Sequence, residues 1–548
     1  MSNTEKIFKI LGIPLLILLF LAQRIFYYGI NDYVIINDGI LYVSFAEQIA
    51  NGELKDMLNI IGFNFFPVII VLVSKLVGII HPISMETAAL IFNNFCHVIT
   101  VWIFYKLGKI YGNYNSAFAA GFFALLLPPL NDVFTNVLRE PLAITAFVLA
   151  LFFIIKAMKD KLPNDWHISK LFLAGMFFIL AGFVRMEFFI GIVALGFVIL
   201  FVNLEKNNLQ IKRRLTLSVS MFSIFLIAYF AAIGFVKLKH DRWELPFVNK
   251  IFEPTALGKI ELKDAGHIQK DSIIPTSYKV PTYNEKGQPK RTELYVGQFI
   301  AMADDHRRVL FAFEVAYKYW KALSVFGLFA LLAGLFTLYK KRSIKFSDPY
   351  LIFNLAILII ATPIFYMYAS NKFYLATRHT LLCISGLIPL MALPFSLDFS
   401  KISLDFETSR YLKYLVCIFW IITVSIVLRK DFRLENKSKV FQKQYGLELL
   451  KKLEPNSVIS AAEPFKTVLY YAKATRFSYL NLSSDLQALI TTNQVAPLLL
   501  LNTNDAWQNA LLEPIRELVT PIDIELKSEK YGYILLAPQT NKNYEIIE

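Results

Sequence analysis

"IIGFNFFPVIIVLVSKLVGII", Ile60 to Ile80, is apolar enough to enter a bilayer, and its reading decides where every later loop lies. A helix crosses the hydrocarbon with roughly 20 apolar residues, so length alone would let this run cross. Pro67 and Lys75 sit within it. The charges on the following loops arbitrate, because short loops rich in Lys and Arg stay on the cytoplasmic side. If the run does not cross, the groups Lys106/Lys109, Lys156/Lys159/Lys161/Lys170, Lys206/Lys212/Arg213/Arg214 and Lys340/Lys341/Arg342/Lys345 all fall on the side of the N-terminus. If it does cross, most of them move outside. Ile60 to Ile80 therefore reads as a juxtamembrane or re-entrant element on the outer face.

Working outward, the spanning runs are Ile7 to Ile30, Met85 to Tyr105, Ser116 to Leu130, Pro141 to Ile155, Leu171 to Val184, Phe188 to Val202, Leu215 to Val236, Tyr319 to Tyr339, Tyr350 to Ala369, Leu381 to Phe395 and Tyr411 to Leu428. The expected fold class is a polytopic α-helical membrane protein of about 11 spans. The first run is longer than a signal-peptide core and lacks a small-residue cleavage site, so it reads as an uncleaved anchor with a cytoplasmic N-terminus. Composition agrees: of 548 residues 56% are hydrophobic and 15% aromatic, at a mean hydropathy of +0.50, well above the needs of a soluble core. The net charge of +14 is explained by basic loops that orient the chain, which argues against nucleic acid as a partner. Cys96, Cys383 and Cys417 lie far apart in apolar segments, a pattern of packing and not of disulfides or zinc.

This sidedness places most polar mass outside: residues 31–84, 131–140, the turn at Arg185, the long loop 237–318, residues 370–379 and everything after Arg429. Loops carry function, so the candidate chemistry is sought there. In "NDGILYVSFAEQIANGE", Asp38 and Tyr42 share a helix face, with Leu41, Phe45 and Ile49 as an apolar stripe opposed by Glu47, Gln48 and Asn51. An interfacial helix follows. Asp38 also suits an N-cap, although no Glu or Gln stands where a capping box needs one.

In "NDVFTNVLREPLAITAF", Glu140 precedes Pro141, a residue suited to the first helical position, and Arg139 stands beside it. Both a cap and a catalytic carboxylate are consistent with Glu140, and Arg139 with an interface anchor. In "LAGFVRMEFFIGI", an Arg at mid-membrane costs about 2.5–3.5 kcal/mol, and the run is too long for one crossing. A tight hairpin at Arg185 resolves both, leaving Arg185 and Glu187 free to pair or to act. In "NKFYLATRHTLL", Lys372, Arg378 and His379 enter an apolar helix. Snorkelling accounts for Lys372; Arg378 offers the planar, permanently charged fork that suits phosphate. Two carboxylates and several cations beside the bilayer suit transfer of a group from a lipid phosphate: a carboxylate as base on a hydroxyl, arginines on the departing phosphate. No GxSxG, HExxH, Walker or GxGxxG pattern supports a hydrolase or nucleotide site.

The order of these pieces resembles the GT-C superfamily of polyprenyl-phosphate-dependent glycosyltransferases. It comprises an anchor, the Asp38 loop, "FFPVIIVLVSKLVG", "LREPLAITAF", the "VRMEFF" hairpin and the late "ATRHTLL...IPLMA". The likeness is to the bacterial branch related to protein O-mannosyltransferases and the lipid A aminoarabinose transferase, and covers roughly residues 1–400. The resemblance implies an inverting glycosyltransferase in the bacterial cytoplasmic membrane that takes a sugar from undecaprenyl or dolichyl phosphate to a lipid, glycan or protein hydroxyl. Surface polysaccharide or lipopolysaccharide modification in the cell envelope is the implied setting. Its first-loop aspartate falls on Asp38, the base, and its second acidic residue on Glu140. Its late arginine, a ligand of the donor phosphate, falls on Arg378, and its hairpin arginine on Arg185. From the residues themselves Arg185 and Lys372 are further phosphate-binding candidates, and Tyr42, Arg139 and His379 are expected in the substrate pocket. No metal ligand is named, no cofactor is certain, and a divalent cation is left open. The sequence departs from the pattern where many members have Asp-Glu, here Asp38-Gly39, and where His-Pro-Pro becomes Phe66-Pro67. The alternatives are a surface-polysaccharide polymerase or ligase, or a lipid-linked-sugar transporter or flippase; a transporter would be expected to show repeated halves with binding residues at mid-membrane.

The loop 237–318, with five prolines between Pro246 and Pro289, reads as a lid, and "ADDHRR" as its solvated polar end. After Arg429, "SVISAA", "FSYLNL", "APLLLLNT" and "YGYILLAP" read as strands. They alternate with helical stretches at Val440 to Lys452, Glu463 to Lys473 and Asp505 to Leu518. The expected division is a catalytic membrane domain over 1–430 and a small extracytoplasmic α/β domain over 431–548, the latter in docking or assembly.

Overall fold

The computed structural model describes residues 3–30, 33–35, 38–52, 65–159, 164–201, 223, 307–341, 348–372, 375–396, 425, 428–429, 437–453, 457–461, 466–477, 498–502, 519–522 and 533–538. These form two compact units. Unit 1 takes Met1–Tyr27, Tyr42–Gly258 and Val296–Arg433; unit 2 takes Tyr28–Leu41, Lys259–Tyr295 and Leu434–Glu548. Residues 237–306 of the long loop lie outside the described residues, whereas 307–318, which include the last two residues of "ADDHRR", are not loop but the start of a helix.

Unit 1 is helical. Its elements are α1 (Asn3–Arg24) with a π turn (Ile25–Ile30, as far as Tyr27 in this unit), α2 (Asp38–Ala50, from Tyr42 onward in this unit), α3 (Phe65–Gly78), α4 (Met85–Tyr111), α5 (Tyr114–Leu126) and α6 (Pro128–Thr135). There follow α7 (Glu140–Lys159), α8 (Asn164–Val184), α9 (Ile190–Phe201), α10 (Arg307–Lys341), α11 (Pro349–Lys372) and α12 (Leu381–Met391). Among the described residues six helices are long and apolar enough to cross a membrane, or seven with one bent pair. Two further expected spans correspond to shorter apolar helices, Ser169–Val184 and Glu187–Ile199, while Leu215 to Val236 and Tyr411 to Leu428 fall almost wholly outside the described residues. α3, at 14 residues, is about 21 Å long, short of the roughly 30 Å hydrocarbon core.

The expected span Ser116 to Leu130 falls on the bent pair. α5 and α6 meet at 58°, and the cause is written in Pro128 and Pro129. Neither brings an N–H, so the carbonyls four residues back, at Ala124 and Leu125, lose their helical donors. Side chains from other helices replace them: His97 Nε2 of α4 donates to Ala124 O at 3.1 Å, and Gln23 Nε2 of α1 donates to Leu125 O at 3.4 Å. Arg24 in turn donates to His97 Nδ1, which puts the imidazole proton on Nε2, where the carbonyl needs it. The ring also stacks on Phe134, centroids 4.3 Å apart. Removing it is expected to be costly: His97→Leu leaves the buried Arg24 without this acceptor and Ala124 O without its donor. We expect a loss of about 2–4 kcal/mol, read as a lower unfolding midpoint in detergent micelles.

Similar repairs hold the rest. The Tyr350 hydroxyl enters the α12 ladder, donating to Gly386 O at 2.8 Å and accepting from Leu390 N at 3.2 Å. α10 is broken at Ser324 (φ 58°, ψ 167°), a backbone region that strains any residue but glycine. α4 and α5 approach closely at Gly108, where an added Cβ would stand 2.8 Å from that of Ala120.

α2 departs from the expected stripe. Tyr42, Val43, Phe45 and Ala46 are buried, whereas Leu41 is 40% exposed. The helix is rotated because Tyr42 packs edge-on against Phe66 of α3, centroids 5.4 Å apart.

Unit 2 holds a five-stranded sheet in the order β2-β1-β3-β5-β4: β1 (Val458–Ala461), β2 (Thr475–Phe477), β3 (Leu498–Asn502), β4 (Val519–Ile522) and β5 (Tyr533–Pro538). β1 pairs in parallel with β2 and β3, and β5 antiparallel with β3 and β4. Helices α13 (Lys437–Lys452) and α14 (Lys466–Tyr471) complete a core of Phe441, Tyr445, Leu449, Val468, Leu469 and the leucines of β3. β4, with Pro521 inside, is absent from the sequence-based expectation. The expected helix Asp505 to Leu518 lies outside the described residues, as does all of "FSYLNL" beyond Phe477.

Candidate functional site

Three chain breaks in unit 1 present charged residues to one another. Glu140 opens α7, and its position is set from α4: Asn93 Nδ2 donates to Asn136 O (2.7 Å) and Leu138 O (3.1 Å), just before Arg139. Thr145 Oγ1, one turn inside α7, donates to Pro141 O (2.7 Å) and Cys96 O (3.1 Å). Arg185 ends α8, its N–H still bonded to Ala181 O at 2.8 Å. A short 3-10 turn, Met186–Phe189, then carries Glu187, so the expected tight hairpin is present. Arg378 and His379 lie on a second 3-10 turn, Thr377–Thr380, that leads into α12.

These side chains form one cluster. Glu140 Oε1 lies 3.3 Å from Arg185 Nη2 and 3.4 Å from Arg378 Nε. Arg185 Nε lies 3.0 Å from Glu187 Oε1, and His379 Nδ1 is 4.0 Å from that same oxygen. Arg139 acts electrostatically on both carboxylates. Tyr368 of α11 packs on His379 at 5.1 Å between rings, and Tyr42 and Tyr368 both act on Arg185. Burial would by itself discharge the Arg185 guanidinium, but Glu140 and then Glu187 outweigh it and hold the group above its ordinary pKa.

Charge and exposure differ usefully across the cluster. Glu140 and Arg185 side chains are 3% and 9% exposed, while Arg378 is 31% exposed. Taking so many charges out of water is unfavourable unless they are mutually satisfied, yet satisfaction is incomplete. Among the described residues Glu140 Oε2, Arg185 Nε and Nη2 and Arg139 Nε are buried without a hydrogen bond of good geometry. Three guanidiniums face two carboxylates, and Arg378 is the open edge of the set. An anion approaching there would meet excess positive charge and donors with capacity left.

The structure thus brings Glu140, Arg185, Arg378, His379, Arg139 and Tyr42 together. Asp38 opens α2 one turn before Tyr42, half-buried. Lys372 ends α11, and its side chain lies outside the described residues. Among the described residues no group of three or more His, Cys, Asp or Glu side chains is placed to hold a metal ion. Glu140 and Glu187 are committed to guanidiniums, a donor set that does not suit a cation.

Sequence reasoning missed Tyr368 and a support from α10. Glu314 and Lys318, 2% and 9% exposed, pair at 3.8 Å. The Leu375 backbone amide faces the Glu314 carboxylate, and Thr380 Oγ1, which donates to Thr377 O at 2.8 Å, also lies 3.4 Å from Lys318 O. α10 therefore packs along the Arg378 turn and holds the segment that leads into it. The i, i+4 spacing of Glu314 and Lys318 within an apolar stretch was the available signal. Glu314→Ala is expected to lower kcat about 10-fold by loosening Arg378, with Glu314→Gln recovering part; steady-state kinetics of the reaction proposed below, on matched membranes, check it.

No family model matches the chain, and no curated relative matches it. Among solved structures, ArnT from Cupriavidus metallidurans in the apo state is 11% identical over 95% of this chain and 97% of that one, with a TM-score of 0.53. The same enzyme bound to undecaprenyl phosphate gives 10% identity, 96% and 97% coverage, and a TM-score of 0.55. An oligosaccharyltransferase from Archaeoglobus fulgidus, crystallised with zinc and sulfate, is looser, at 14% identity, 89% and 67% coverage and a TM-score of 0.49. Identities this low speak to the fold alone, and they do so along nearly the whole chain: it has the fold of ArnT.

Proposed function

We propose that this protein is an inverting glycosyltransferase that moves a sugar from a polyprenyl-phosphate carrier to a hydroxyl of a lipid, glycan or protein on the outer face of the cytoplasmic membrane. The carrying observation is the buried Glu140–Arg185–Arg378 cluster with Arg378 as its open edge. It supports the reading because a phosphodiester-linked sugar leaves behind a phosphate whose charge must be met in a dry place. The fold adds support, since its neighbour ArnT has been crystallised with undecaprenyl phosphate bound.

In this mechanism Asp38 takes the proton of the acceptor hydroxyl as its oxygen attacks the anomeric carbon. The carbon–oxygen bond to phosphate breaks on the opposite face, which inverts the centre, and polyprenyl phosphate departs with the bonding electrons. Arg378 meets that charge, aided by Arg185 and Lys372. Glu140 serves chiefly to hold the two guanidiniums in one plane of approach, and Tyr42, Arg139 and His379 bound the sugar. The acidic and basic groups suffice for these steps, and none is routed through a metal.

The test is a transfer assay with full-length protein in lipid vesicles, using polyprenyl-phosphate sugars radiolabelled in the sugar. Label should move to an acceptor while polyprenyl phosphate accumulates in equal amount. Intact donor appearing in the opposite leaflet without loss of its sugar would show a flippase and overturn the proposal.

A further inference from the structure

In unit 2 the segment Tyr33–Ile35, which leads into α2, is tied by hydrogen bonds to Lys443 of α13 and Tyr471 of α14. Val34 and Ile35 are 1% and 0% exposed. The Ile35 amide donates to the Tyr471 hydroxyl at 3.1 Å, across 436 positions of sequence. Lys443 Nζ donates to Tyr33 O at 3.0 Å, across 410, and the same ammonium lies 5.7 Å from the centroid of the Tyr471 ring. Tyr28 packs edge-on against Tyr33 at 5.6 Å. The two polar anchors come from rigid elements: Lys443 from α13 and Tyr471 from the end of α14. Those helices are locked through Phe441, Tyr445, Leu449, Val468 and Leu469, and at Gly446 an added Cβ would stand 2.5 Å from Val468 O.

Closing a chain over more than 400 residues to grip three of them costs conformational entropy, and what the grip fixes is specific. Ile35 is three residues from Asp38, about 10 Å of extended chain, so little slack separates the held amide from the first turn of α2. Asp38 belongs to the same compact unit as Lys443 and Tyr471. We propose that the C-terminal unit positions Asp38, with Lys443 and Tyr471 as the positioning residues. This rests on the reading of Asp38 as the base. The unit's role is then to fix where the acceptor's proton goes, and not to bind the acceptor from afar.

Two conservative changes isolate the hold. Tyr471→Phe removes only the hydroxyl, and Lys443→Met keeps the apolar stem while deleting the ammonium. Amide hydrogen exchange in the full-length protein reads the grip directly, whatever Asp38 does: exchange at Ile35 should quicken in Tyr471→Phe. In the transfer assay each variant should lose about 10–100-fold in kcat with donor KM unchanged, and the pair combined with Asp38→Asn should lose nothing beyond Asp38→Asn alone. Unaltered Ile35 exchange, or quickened exchange with wild-type kcat, would overturn the proposal. So would full additivity with Asp38→Asn, the mark of a merely structural role. Wild-type turnover in Asp38→Asn would instead remove the base, and with it the reason for the positioning; the exchange result would still report the hold.

Discussion

Asp38→Asn should lower the turnover of sugar transfer by about 10²–10⁴-fold, the usual worth of a general base, while leaving donor affinity and expression unchanged. The substitution keeps the size of the side chain and its ability to open a helix, since Asn caps as well as Asp. A loss therefore reports on proton transfer and not on α2. Glu140 cannot compensate: one of its oxygens is shared between Arg185 and Arg378, which withdraws its basicity. Turnover within a factor of about 3 of wild type is too small a change for a missing base. That result would leave the chemistry to another residue.

Arg378→Ala is expected to cost about 10²–10³-fold in kcat, comparable to deleting one donor from a charge-stabilising site. It should act on kcat more than on KM, because the phosphate gains charge as the sugar leaves. Arg378→Lys should not restore activity. A lysine cannot present the planar fork, whose Nε lies 3.4 Å from Glu140 while the side chain stays 31% exposed. The fold should survive either change, since Glu140 keeps Arg185 as its partner. Equal activity of the Lys and Arg forms would mean that a point charge suffices and that the geometry of the cluster is incidental.

Much of this site could be read in the sequence because ionisable residues are conspicuous on apolar runs. Arg185 in "GFVRMEFF" forced a turn, Glu140 before Pro141 marked a helix start, and Arg378 stood at a helix mouth; each claim needed only local spacing. What hydropathy could not give was pairing. Nothing local distinguishes an Arg185 that pairs with Glu187 alone from one that also takes Glu140, because Glu140 lies on another helix and the choice is made by tertiary packing. The face of α2 was misjudged for the same reason: a moment calculated from one helix cannot know that Phe66 awaits Tyr42. The break between α5 and α6 was legible in Pro128-Pro129, but apolar residues on both sides carried the window across it. β4 was hidden by its brevity and by Pro521, a residue that disfavours strands.

The kinked pair also bears on biogenesis. A membrane segment that releases two carbonyls into hydrocarbon is stable only where donors already wait, and the donors for Ala124 and Leu125 are His97 and Gln23. Both precede the kink in the chain, and a ribosome delivers residues from the N-terminus. When the two prolines leave the translocon, their hydrogen-bond partners are therefore already in the lipid, so the bend can be satisfied as it is made. A circular permutation that moved α1 and α4 behind α5 would keep every contact of the finished protein and should nonetheless insert poorly.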